Sequence, residues 1–251
     1  MQARIFKLNL KPVSANPSRL NTMKKQLLLL SAALINSLTF SNAFAKSDAP
    51  DVLVSSNVAI TSNYVDRGLS QSNDSPAIQG GFDVTGKGGG FFAGLWASSR
   101  GDKDALGNQM TTMETQVYAG VAFSQNNVKV DLGVQGTYFP HENDVDTAPE
   151  DTTESFLGLE YQIIRGEIWY DNEGTQVYKQ LDINFEVIEH LGLSLSIGHT
   201  NYLDEEVEKE STLNKRLALA ADFSGVVLSV SVSQHDDLEE NLNEITLSRS
   251  F

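Results

Sequence analysis

The stretch VKVDLGVQGTYF, residues 128–139, alternates with a period of two. Val128, Val130, Leu132, Val134 and Tyr138 fall on one face of an extended chain, and Lys129, Asp131, Gly133, Gln135 and Thr137 on the other. One apolar and one polar face marks a half-buried strand, whereas a helix would scatter the charges around its axis. QLDINFEVIEH sets Leu181, Ile183, Phe185 and Val187 against Gln180, Asp182, Asn184 and Glu186, and RLALAADF sets Leu217, Leu219, Ala221 and Phe223 against Arg216, Ala218, Ala220 and Asp222. The same template yields about twelve strands between residues 52 and 251, the weakest being EIWYD, 167–171.

The connections decide what the strands build. Long polar segments such as RGLSQSNDSP, HENDVDTAPEDT and NYLDEEVEKES alternate with tight turns such as SQNN, IRG and SG. That alternation puts all tight turns at one end of an up-and-down barrel and all long loops at the other, as in outer-membrane barrels. The chain ends in EITLSRSF, in mid-strand, which an open sheet would leave as an unprotected edge. Closure onto the first strand removes the edge and satisfies the backbone in hydrocarbon. The expected fold is all-β, a transmembrane antiparallel up-and-down barrel. Tyr64, Phe123, Tyr138, Tyr161, Tyr170 and Phe223 are expected in its aromatic girdles.

MKKQLLLLSAALINSLTFSNAFA, residues 23–45, has a basic start, an apolar run and a small-x-small end, the pattern of a signal peptide cleaved after Ala45. Residues 1–22 then read as an upstream start extension and 46–251 as the barrel, in the outer membrane of a Gram-negative bacterium. Residues 1–45 hold six bases and no acid, so the remainder carries −21 against −15 for the whole chain. This balance argues against nucleic acid, which demands basic surface. There is no cysteine, hence no disulfide, and no apolar stretch in 46–251 is long enough for a transmembrane helix.

The polar faces nominate Glu114, Lys129, Asp131 and Glu160, with Asp182, Glu186, Arg216 and Asp222, as lumen-lining charges. Acids crowd 142–154 and 204–210, a pattern of solvated loops or of a cation-attracting vestibule beside lipid headgroups. GFDVTGKG, 81–88, is a near miss to a phosphate loop that reads better as a hairpin turn, and Arg100-Gly101-Asp102 reads as a solvated loop tip. His141, His199 and His235 have no metal-ligand spacing, and neither metal nor other cofactor is expected. Ser196 and His199 have opposite strand parity, which disqualifies them as a nucleophile and base pair.

NVAITSNYVDRGLSQSNDSPAIQGGFDV followed by GGFFAGLWASS resembles the TorF family of small outer-membrane porins. The matching residues include Asn63, Tyr64, Arg67, Gly68, Ser70 and Gln71, then Pro76, Gln79, Gly80 and Trp96. The resemblance implies an outer-membrane pore and supplies no substrate. The terminal Phe251 also resembles the aromatic end recognised by the barrel-assembly machinery, with Arg249 departing from the apolar position two residues before it. The expected function is a passive, cation-preferring channel for small hydrophilic solutes. An occluded structural or adhesive barrel, or a lipid-modifying enzyme, stands as the alternative.

Overall fold

The computed structural model describes residues 52–86, 90–103, 109–140, 151–203 and 210–251, with backbone alone at 102, 103, 109 and 110. The signal-peptide segment, Lys87 and Gly88, His141 and most of both acidic blocks lie outside the described residues. The strands are β1 (Val52–Thr61), β2 (Val65–Asp66), β3 (Leu69–Ser70), β4 (Ala77–Gly86), β5 (Phe92–Lys103), β6 (Gln109–Gln125) and β7 (Val128–Tyr138). They continue as β8 (Thr152–Tyr161), β9 (Ile164–Asp171), β10 (Gln176–Ile188), β11 (Leu191–Tyr202), β12 (Ser211–Phe223), β13 (Val226–His235) and β14 (Leu242–Ser250). Twelve of them form one closed antiparallel barrel, and β2 and β3 form a separate hairpin.

Closure takes the form expected from the chain end. Ile60 of β1 faces Leu247 of β14, and Ile78 of β4 faces Ile60 from the other side. Phe251 extends this pairing: its N–H donates to Ser56 O at 2.8 Å and its carbonyl accepts from Ser56 N at 3.1 Å. Tight turns occur where the sequence tolerates left-handed backbone. Asn126-Asn127 (φ 51° and 67°) joins β6 to β7, and Ser224-Gly225 (φ 59° and 89°) joins β12 to β13. Two consecutive positive φ values match the right-handed twist of the flanking strands.

The apolar faces point outward. Ile60, Leu132, Leu157, Leu217 and Leu247 are all exposed on the outer wall, as a barrel bordered by hydrocarbon requires. Phe123, Tyr138, Tyr161, Tyr170 and Phe223 are exposed as well, but Tyr64 is 1% exposed and belongs to the interior, which corrects its expected place in a girdle. Two further expectations are corrected. Arg100 lies within β5 and reaches Glu114, so RGD is wall rather than loop tip. The weak strand EIWYD is part of the eight-residue β9, which takes in Arg165 of the supposed IRG turn.

Side-chain bulk inside is uneven. Phe92, Tyr118, Phe156 and Trp169 occupy the β5–β9 wall, with Trp169 stacked on Phe156 at 4.5 Å. Opposite them, β12 to β14 present Ala218, Ala220, Ser229, Ser231 and Ser248. Glycine on a neighbouring strand leaves room for one of these rings. A Cβ on Gly120 would sit 2.4 Å from the Phe92 ring.

Candidate functional site: a strap across the lumen

Between β1 and β4 the chain leaves the wall and folds inward instead of forming the outward loop that its polarity suggests. Asn63 starts the departure. Its Oδ1 accepts from the hydroxyls of Ser70 (2.7 Å) and Ser72 (3.1 Å), and its Nδ2 donates to Asp74 at 2.8 Å. One buried amide thus ties both ends of the segment together, and the β2–β3 hairpin projects from that knot.

The hairpin tip is Arg67-Gly68, both at positive φ (46° and 82°). Arg67 Nη2 donates to both carboxylate oxygens of Glu154 on β8 at 2.8 Å, and its guanidinium lies 4.4 Å from the centroid of Tyr178 on β10. Gly68 packs on β12 and β13, where a Cβ would come within 2.7 Å of the Asn214 Cβ and 3.3 Å of His235. In the ring of strands, β8 and β10 flank the position opposite β1. Residues 62–76 therefore form a strap that crosses the lumen and is fastened on the far wall.

The near side is fastened too. The Tyr64 hydroxyl donates to Glu114 at 3.1 Å and its ring meets Trp96 edge-on at 5.5 Å. Arg100 donates to Glu114 at 3.2 Å and to Gln71 Oε1 at 2.9 Å. Burial first, then the charge of Glu114, pushes the Tyr64 phenol well above its ordinary pKa, so it remains a neutral donor. Burial alone would lower the pKa of Arg67, but Glu154 and Asp66 more than offset it, so the guanidinium stays charged. Such charge-assisted contacts fix the geometry of the strap as well as its attachment.

A cavity of about 160 Å³ lies between the strap and the β6–β10 wall. Asp66, Glu114, Glu154 and Glu167 on its lining outnumber Arg67 and Arg100, and glutamine amides fill much of the rest.

The residues nominated as lumen charges all lie on the inward-facing rows. Glu114, Lys129, Asp131 and Asp182 are buried, and Glu160, Glu186, Arg216 and Asp222 are half-buried. They form separate groups. Arg216 holds Glu244 at 2.5 Å, Asp182 accepts from Gln180 and from Ser196 at 2.5 Å, and Asp222 caps the Gly225 turn at 2.7 Å. Asp131 is fully buried and bidentate to Arg165 (2.8 and 3.0 Å), which also holds Glu167 at 2.6 Å. Arg165, Glu167 and Glu244 are not among the charges nominated from sequence, and Glu154, counted there in the acidic loop segment 142–154, instead lies on β8 and points inward to Arg67. Three of them share inward parity with named neighbours, whereas Arg165 was hidden in an assumed turn.

Of the TorF-like residues, Arg67, Gly68 and Ser70 build the strap, and Pro76 precedes the return to β4. Trp96 and Gln79 lie in the wall beneath it, and Gly80 is on β4 facing Val58 of β1. Ser196 faces the lumen and His199 the outside, as their parity requires. Among the described residues no cluster of histidine, cysteine and carboxylate could hold a metal ion.

The family described as "Bacterial protein of unknown function (Gcw_chp)" matches residues 45–231. No curated protein matches the chain. Among solved structures, the KdgM porin is 8% identical, with a TM-score of 0.53 over 78% of this chain and 99% of that one. The KdgM porin in complex with disordered oligogalacturonate is 7% identical, at 0.53 over 79% and 99%. The COG4313 outer membrane channel from Pseudomonas putida F1 is 13% identical, at 0.51 over 84% and 99%. These likenesses are of fold.

Proposed function

The chain belongs to the Gcw_chp family, and we propose that it works there as an outer-membrane channel for passive diffusion of small hydrophilic solutes, with a preference for cations. The observation that carries this reading is the strap. A barrel with only a structural role needs no hairpin drawn across its interior and fastened to both walls around a polar cavity. The fold shared with porins and the resemblance to the TorF family support the same reading, as does an outer wall suited to lipid. No covalent step is required of it.

Acid excess in the interior lowers the energy of permeating cations and raises that of anions. A polyanion such as the oligogalacturonate named with the KdgM porin would meet like charge here. Half-buried Glu186 and Asp222 sit towards the tight-turn end, where they can act on ions in transit. In planar bilayers, reversal potentials should favour cations most strongly at about 0.01 M salt, where the Debye length is about 30 Å. Glu186→Gln with Asp222→Asn should lower that preference and leave conductance measurable. Anion preference, or no conductance under any condition, would remove the reading.

Phe251 is proposed as the contact for the barrel-assembly machinery. Its ring is exposed with Arg249 packed 5.2 Å from the centroid, while its backbone completes the β1 pairing. Deleting Phe251 should reduce heat-modifiable barrel in outer-membrane fractions, with Phe251→Tyr milder. Equal assembly of the deletion variant would refute the role.

A further inference from the structure

The bases of this acidic protein are unequally distributed. Among the described side chains, Arg67, Arg100, Lys129, Arg165 and Arg216 point inward, and Lys179, Lys215 and Arg249 point outward. Two of those three outward bases flank one histidine. Lys179 of β10 directly faces His199 of β11. Lys215 of β12 faces Ile197, two residues from His199 and hence diagonal to it on the same face. Facing positions in a sheet are about 5 Å apart and diagonal ones about 7–8 Å, within reach of long side chains.

Their height on the wall is informative. Leu181, Leu195 and Leu217 lie on the tight-turn side of the trio and Ile197 is level with Lys215; all four are exposed and form part of the apolar belt. On the long-loop side, Lys179 Nζ donates to Asn201 at 3.0 Å, so the ammonium turns away from the belt. This is snorkelling: the stem covers apolar surface while the charge sits at its edge. Among the described residues of this rim, Glu210 just before β12 and Asp236 just after β13 are acids, and the Asp236 carboxylate already accepts from the Leu213 amide at 2.9 Å. Among the described residues, the two ammonium groups and the imidazole face outward, at the level where a lipid headgroup would lie.

We propose that Lys179, His199 and Lys215 form a site for a lipid phosphate in the leaflet on the long-loop side. The lysines supply charge and donors, and the histidine contributes a ring N–H between them. The belt beneath the trio orients the ligand, because acyl chains lie against it only if the phosphate belongs to a lipid. The proposal rests on the barrel spanning a membrane, but not on its conducting.

The test is native mass spectrometry of the detergent-purified full chain with lipid A carrying both phosphates, against lipid A stripped of them. The phosphorylated lipid should be retained better. Each lysine should account for roughly fivefold of the difference, so Lys179→Gln with Lys215→Gln should abolish it, Lys→Arg at both sites should keep it, and Arg249→Gln should leave it unchanged. Equal retention of the two lipids by the unmodified chain, or undiminished discrimination by the double Gln variant, overturns the site. Displacement by millimolar inorganic phosphate also overturns it, in favour of a soluble-anion site. Folding of each variant is read from its heat-dependent gel shift. Lipid discrimination by a barrel that shows no conductance leaves this site standing and removes the channel reading instead.

Discussion

Replacing strap residues 65–72 by a short glycine-serine link should raise single-channel conductance severalfold and admit solutes that the unmodified barrel excludes. The strap spans the interior from β1 to β8 and β10, so its removal clears obstruction from the whole cross-section. Arg67→Ala is the subtler variant. It removes the pair with Glu154 and the contact with Tyr178, together on the order of 3 kcal/mol. That loss would raise the population of detached straps roughly 100-fold. Recordings should then show transitions to a larger conductance state that are rare in the unmodified channel. Arg67→Lys keeps the charge and can still meet Glu154 through a single nitrogen, as Arg67 does, but loses the planar guanidinium that lies over Tyr178, so its transitions should be intermediate in frequency. Unaltered conductance in the deletion variant would show that the strap does not obstruct the ion path. The barrel itself should survive these changes, because no wall strand pairs with β2 or β3.

Which features were legible in the sequence follows from how local their causes are. Strand parity depends on adjacent residues, so the alternation over 128–138, 180–187 and 216–223 marks strands, and the barrel class follows from them. Closure was legible because the chain ends in mid-strand. The strap was not, because its cause is non-local. Arg67 and Glu154 are far apart in sequence, and a polar segment rich in Asn, Ser and Gly looks the same whether it is solvated outside or satisfied inside. Tyr64 is ambiguous for the same reason: an aromatic residue near a strand end suits a girdle and an interior contact equally well. The TorF-like motif coincided with the strap, yet a motif without a mechanism gave no sign that it turns inward. Asp131 illustrates a second limit. Its inward parity is evident, but its neutralisation by Arg165 depends on a strand that begins three residues before EIWYD.

That ion pair sets the second large effect. Arg165→Met should destabilise the barrel by about 3–5 kcal/mol, the usual consequence of removing one partner from a buried charge pair. Asp131 is fully buried, Glu167 is 4% exposed, and both rely on the same guanidinium. Lys129 is buried on the same inward row, but its inward stem cannot supply the planar fork that meets both carboxylates. The readout is the urea midpoint for unfolding from lipid vesicles, followed by the Trp169 environment, since its indole donates to Glu167 at 3.3 Å. Asp131→Asn alone should cost less, because Arg165 keeps Glu167 and Glu160 as partners. The triple variant Arg165→Met, Asp131→Asn, Glu167→Gln should recover most of the loss, as the buried charges are removed together. A triple variant no more stable than Arg165→Met would mean that the arginine acts through packing rather than charge. A carboxylate neutralised by Arg165 presents little field to a passing ion, so Asp131→Asn should shift the reversal potential less than Glu186→Gln does, even though Asp131 lies deeper in the wall.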